Sequence, residues 1–290
     1  MGQLLGFRML DYNIAFKRED TQQIGCISKS MVRASESKLT EGKDYLVGYN
    51  PNYNPETDQT DYTFQFICDA LKYFNLEGNI PDVVKIIVFD TIVGNSDRHQ
   101  ENWGFITNFK ETIDEIDKEL NKEDTSWIAK LSLKIWKWSV VLQKDFKNTN
   151  KQILKNQSEL AKNHFSPIYD SGCCLGRELT DNAIDKMLKN HAMLKSYVSR
   201  GLSEIHWQGI PKKQKHFDLV NLLMVEHSQT ISKTLERVKE KYNKDSIRDL
   251  ITRIDQNLPQ ELLKFKLSDN RKELMAKIIS LRTQQLLELS

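Results

Sequence analysis

Apolar and polar positions alternate in two stretches near the start of the chain, Met9–Phe16 (MLDYNIAF) and Ile24–Val32 (IGCISKSMV), separated by the polar run KREDTQQ. Two period-two segments around a polar turn predict a β-hairpin. Arg33–Asp44 is polar and charged, and Tyr45–Tyr62 contains GYNPNYNPETDQTDY, whose two prolines predict a loop. From there the period lengthens. Phe64, Phe66, Ile67, Leu71 and Phe74 fall on one helical face, and Pro81-Asp82 suits the first turn of a second helix that carries the apolar run VVKIIVFDTIV (Val83–Val93).

Lys110–Lys162 reads as a separate insertion, charged at both ends around the apolar centre WIAKLSLKIWKWSVVL (Trp127–Leu142). Trp136 and Trp138 flank a lysine, so the pattern fits a helix or a strand. The segment reads either as a docking insertion for a partner or as a helix packed on its own lobe; apolar stripes more often mark core. Helices are predicted over Thr180–Val198, Lys215–Tyr242, Ser246–Ile254 and Asn270–Leu289, the last with Leu274, Ile278, Leu281 and Leu286 on a stripe. Strands first and helices after them predict an α+β fold.

Charge narrows the function classes. The 42 basic and 40 acidic side chains nearly cancel, which points neither to nucleic acid nor to a membrane surface. The basic run PKKQKH (Pro211–His216) joins two helices and reads as a solvated linker. No apolar run reaches the length of a membrane span, and MGQLLGFRML lacks the cationic flank and cleavage pattern of a secretory signal. Cys26, Cys68, Cys173 and Cys174 form no CxxC pair, so reduced thiols in a cytoplasmic protein are expected.

The candidate chemistry lies in GNSDRHQENWGFI (Gly94–Ile106), which places Asp97 and Asn102 five residues apart in a polar loop with an apolar helix before it. A carboxylate that orients an attacking hydroxyl, beside an amide oxygen that holds a metal against phosphates, is what phosphoryl transfer needs. A second metal contact is offered by Asp170 in SPIYDSGCCLG (Ser166–Gly176), where Ser171-Gly172 let the chain turn. Two oxygen ligands plus substrate phosphates suit Mg²⁺. Gly94 and Asn95 read as turn formers and Arg98 as a charged partner inside the loop.

These two loops resemble the HipA-like kinases, bacterial serine/threonine kinases whose catalytic loop reads Gly-Asn-x-Asp-x-His-x-x-Asn with a later Tyr-Asp. IGCISKSMV and YDSGCCLGREL are most similar to the compact, CtkA-type branch. The resemblance spans about Leu4–Glu178 and is specific at the two loops. It implies a protein-kinase-like fold with a reduced strand-bearing N-lobe and a large, mainly helical C-lobe. Residues 1–46 would be the residual hairpin and hinge, and 47–290 the C-lobe, with the insertion at about 110–162. It further implies ATP and Mg²⁺ as cofactors, a protein substrate, Asp97 as the catalytic aspartate, and Asn102 and Asp170 as magnesium ligands. The segment Glu41–Leu46, including Tyr45 and Leu46, becomes the hinge facing adenine. His99 has two readings: direct catalysis, as in phosphoinositide kinases with their Asp-Arg-His-x-x-Asn loop, or ordering of the loop by hydrogen bonding.

The chain departs from the pattern at its front. No G-x-G run precedes Asp97, and LLGFRMLDYNI (Leu4–Ile14) resembles the end of the family's αC helix running into a strand. Lys17 in NIAFK resembles the strand lysine of kinases but opens the polar turn. A separate polypeptide supplying the missing N-lobe is therefore one expectation. A truncated pseudokinase acting as a binding module is a second, and a phosphoinositide-type lipid kinase a third, disfavoured by the near-neutral stretch after Asp170.

Overall fold

A computed structural model describes residues 1–17, 20–144 and 150–289. The predicted hairpin forms from β1 (Tyr12–Lys17) and β2 (Asp20–Ser28), paired antiparallel with Tyr12 opposite Ser28 and Ile14 opposite Cys26. Arg18 and Glu19 of the predicted turn lie outside the described residues. The hairpin is a two-stranded sheet of its own. The register puts Tyr12, Ile14, Phe16, Ile24 and Cys26 on one face, and Tyr12, Ile14 and Ile24 are exposed there. Ahead of the hairpin the chain is not the helix end that the family resemblance implies: Leu5 and Gly6 close tight turns on Gly2 and Gln3, and Phe7 packs edge-on against Phe89.

A second sheet orders β3 (Ser37–Glu41), β4 (Gly104–Asn108) and β5 (Lys162–Phe165) antiparallel. It joins the chain ahead of the first candidate loop, at that loop's exit and at the entry to the second. Phe165 stacks on Trp103 at 6.1 Å between centroids and meets Phe105 edge-on at 5.3 Å. Trp103 is anchored by donating its indole N–H to the Tyr62 hydroxyl at 2.8 Å.

Helix α1 (Gly42–Tyr49) follows β3 directly, where the sequence reading expects polar chain and then a loop. Thr63 caps α2 (Phe64–Tyr73), its hydroxyl accepting from the Phe66 amide. Helix α3 (Ile80–Val93) carries Pro81 in its first turn and is buried on nearly every side. It ends at Gly94, whose φ of +67° is the left-handed conformation that releases the chain into the candidate loop.

The insertion is helical. Helices α4 (Phe109–Leu120), α5 (Trp127–Lys144) and α6 (Lys151–Leu160) surround a small core of Phe109, Ile116 and Val140. Val140 packs inward on that core, while Trp127, Ile128, Leu131, Ile135 and Trp138 stay exposed. The helix expected over Thr180–Val198 is two, α7 (Asp181–Lys189) and α8 (His191–Arg200), because the Asn190 side chain caps the second. Helices α9 (His216–Lys241), α10 (Lys244–Arg253) and α11 (Asp269–Leu287) complete the main core, α9 and α11 both packing on α3. Among the described residues no helix is long and apolar enough to cross a membrane.

Candidate active site

An acid in the last turns of α3 organises both loops. Asp90 is a single carboxylate in an apolar run, and it is buried. Arg98 meets it with two hydrogen bonds, Nε to Oδ2 and Nη2 to Oδ1, each 2.9 Å. The fork-to-carboxylate geometry is the strong, directional form of an ion pair. Asn95 adds a third bond to Asp90 at 3.0 Å. The remaining donors of Arg98 tie its own loop to the second: Nη1 reaches the carbonyls of Asn102 (2.8 Å) and, across the gap, Tyr169 (2.7 Å), and Nη2 reaches the Ser171 hydroxyl (2.9 Å). One guanidinium nitrogen therefore holds the backbones of Asn102 and Tyr169 within two hydrogen-bond lengths of each other. The Tyr169 hydroxyl donates to the Glu101 carbonyl at 2.8 Å and closes the same link from the other side.

The two loops thereby bring Asp97, Asn102 and Asp170 to one region. The Asn102 amide nitrogen donates to the Asp97 carbonyl at 2.8 Å. With that nitrogen committed, its oxygen is the atom left for a cation. Asp170 has φ +44°, a left-handed conformation that costs a non-glycine residue about 1–2 kcal/mol unless neighbours hold it. Here they do: its amide donates to the Tyr12 hydroxyl at 3.2 Å, and the carbonyl before it is held by Arg98. Among the described residues no group of three or more His, Cys, Asp or Glu converges on a point. One carboxylate and one amide oxygen fit Mg²⁺, which keeps waters and takes substrate phosphates to complete its shell.

Beyond Asp170 the chain lies along the start of the catalytic-loop candidate, with Ser96 N donating to Cys173 O and Leu175 N to Val93 O. Burial, and after it the neighbouring Asp97 carboxylate, raises the pKa of the Cys173 thiol. Burial pushes the Cys174 thiol up to about 12, so it stays protonated.

His99 lies at the outer side of the loop. Its Nδ1 accepts from the Glu101 amide at 3.3 Å, the geometry of a residue that orders the turn. Glu101 is paired with Lys43 at 2.6 Å, and that hydrogen bond holds its carboxyl below the usual range. The hinge candidate is pinned to this turn by its backbone. Gly42 N donates to Trp103 O and Lys43 N to Gln100 O, both at 2.8 Å. A side chain at Gly42 would meet the Trp103 ring at 2.3 Å, so only glycine allows that approach.

Tyr45 and Leu46 require a correction. Both are fully buried on α1, Tyr45 between Phe74 and Phe105, so their side chains fill the core and face no adenine. The residues of this segment that approach the loop are Glu41, whose pKa is raised by burial and then by Glu101, and Lys43. Lys17 ends β1 beside the hairpin turn and is exposed. Residues missing from the sequence reading are Asp90, Tyr12 and Lys43. Asp90 carried a signal, as a lone acid in an apolar helix; Tyr12 and Lys43 carried none.

The solved structure of a Helicobacter pylori proinflammatory kinase, CtkA, superposes on the chain with a TM-score of 0.62 at 17% identity, over 100% of this chain and 81% of that one. The fold is kinase-like. It is the α+β arrangement of small strand-bearing part and helical lobe that the sequence predicts. No family model matches the chain, and no curated protein matches it in sequence.

Proposed function

We propose that this chain is the catalytic lobe of a HipA-like protein kinase, moving the γ-phosphoryl group of ATP to a serine or threonine hydroxyl of a protein substrate. The observation that carries the reading is the Arg98 clamp, which fixes the Asp97–Asn102 loop and the Asp170 loop against each other through Asp90. In this reading Asp97 orients the acceptor hydroxyl and takes its proton, while the Asn102 oxygen and the Asp170 carboxylate hold Mg²⁺. Bound magnesium would neutralise charge developing on the β- and γ-phosphates. His99 orders the turn, in keeping with its contact to the Glu101 amide.

The reading needs a phosphate cover and a lysine that the described residues do not offer. The open apolar face of the β1–β2 hairpin suits the missing strands of an N-lobe, whether from more of the same polypeptide or from a separate one. Tyr12 at the foot of that face touches the Asp170 amide, so filling the face would also steady the metal loop. The test is incubation with γ-labelled ATP, Mg²⁺ and serine/threonine peptides, with and without a candidate N-lobe polypeptide. Transfer that disappears in Asp97→Ala supports the reading; no transfer under either condition contradicts it.

A second reading, a kinase-shaped module that binds partners without catalysis, is favoured by the absence of a glycine-rich loop among the described residues. It differs from the first in predicting no Mg-ATP binding.

A further inference from the structure

Of the buried cations among the described residues, Arg98 faces Asp90 at 2.9 Å and Lys272 faces Asp255 at 2.5 Å, while Arg282 has no carboxylate partner. Arg282 is 2% exposed on α11. Its Nη1 donates to the Thr91 carbonyl at 2.8 Å, its guanidinium lies 5.6 Å from the Phe217 ring centre, and its Nε has no partner. Burial pulls its pKa down to about 10. An uncompensated buried charge costs several kcal/mol, so a site that keeps one needs a reason.

The surroundings supply one. The guanidinium sits between two glycines, Gly94 at the start of the catalytic loop and Gly201 at the end of α8; an added Cβ would lie 3.0 Å from Nε at the first and 2.2 Å from Nη2 at the second. It lines a pocket of about 380 Å³ together with Ser96, Cys173, Tyr197 and Arg200. Ser96 precedes Asp97 in the chain and its amide donates to the Cys173 carbonyl at 3.3 Å, so the pocket adjoins the proposed acceptor site. The walls are apolar, from Val93, Leu175 and Ile278. The one acid lining it, Glu178, is exposed and accepts from the Tyr197 hydroxyl at 2.7 Å.

We propose that this pocket is an anion subsite for the substrate, in which Arg282 at the base and Arg200 at the rim receive a carboxylate or phosphate carried by a side chain close to the acceptor hydroxyl. The proposal rests on the phosphoryl-transfer reading for the identity of its ligand, a peptide, but not for the binding itself. A charge-assisted hydrogen bond to an unpaired, desolvated guanidinium is among the stronger polar contacts available to a peptide.

The experiment measures binding without nucleotide. Fluorescent serine-centred peptides with flanking glutamate, phosphoserine, glutamine or lysine are titrated with the whole chain, by anisotropy. Anionic flanks should bind about tenfold or more tightly than glutamine. Arg282→Met should abolish that preference, with circular dichroism checking the fold. Arg200→Gln, on the surface, should weaken it, and Glu178→Gln should strengthen it by removing the competing carboxylate. A larger gain for phosphoserine than for glutamate assigns the subsite to phosphorylated substrates, and equal gains assign it to acidic ones. Equal binding of all four peptides, or a preference unchanged in both arginine variants, overturns the proposal. Anionic preference with no transfer from Mg-ATP upholds the subsite and removes the kinase reading instead; transfer with no preference does the reverse.

Discussion

Arg98 and Asp90 form a buried, two-pronged ion pair, and its arginine is also the bridge between the two loops that carry the candidate chemistry. Both side chains are almost inaccessible, so removing one partner strands the other's charge. Arg98→Leu should lower unfolding stability by about 3–5 kcal/mol. The double variant Arg98→Gln with Asp90→Asn should lose less than the sum of the single losses, measured by urea denaturation. Additive losses would mean that the two do not act as a pair.

Gly42 lets the backbone after β3 close on Trp103. Gly42→Ala should cost about 1–3 kcal/mol by overpacking against the indole, seen as a lower urea midpoint with an unchanged slope. An unchanged midpoint would show that the ring yields freely.

The Tyr12 hydroxyl is the contact between the hairpin and the metal-loop candidate. Tyr12→Phe removes the acceptor for the Asp170 amide at a stability change within about 1 kcal/mol. Amide hydrogen exchange at Asp170 should accelerate while exchange in α3 stays the same. Equal acceleration in both would report general destabilisation.

His216 is buried, with neither ring nitrogen hydrogen-bonded, and burial, then the charge of Arg282, lowers its pKa to about 3. The unfolded chain therefore binds a proton at about pH 6.5 that the folded chain refuses until about pH 3. Its contribution is complete above that upper value and is lost as pH falls through the window, with a slope of up to about 1.4 kcal/mol per pH unit. His216→Leu should flatten the dependence between pH 6.5 and 4 relative to the parent chain. Identical slopes would contradict the burial of a neutral imidazole.

The two loops stand out in the sequence as candidates because Asp97, Asn102 and Asp170 sit in short polar segments whose turn residues announce themselves. The hairpin and helices α2, α3, α9 and α11 followed from their periodicity. The β3–β4–β5 sheet was not readable, since β4 and β5 are short and pair across the whole insertion, a register no local period encodes. Tyr45 and Leu46 were misread for a related reason. The hinge candidate passes straight into α1, and its apolar side chains turn to the core, so only the backbone stays near the loop. Arg98 looked like a local loop partner, and its reach to Tyr169 and Ser171 depends on tertiary packing.

The most direct test of the central claim is Mg²⁺-dependent ATP binding by thermal stabilisation, in the parent chain and two variants, with any N-lobe polypeptide the transfer assay requires. The account predicts stabilisation of about 1–3 kcal/mol at saturating Mg-ATP for the parent chain. Asp97→Ala should keep that stabilisation and lose phosphoryl transfer, whereas Asp170→Ala should lose the magnesium-dependent part of binding. No stabilisation of the parent chain, or equal binding and transfer in all three proteins, would contradict it.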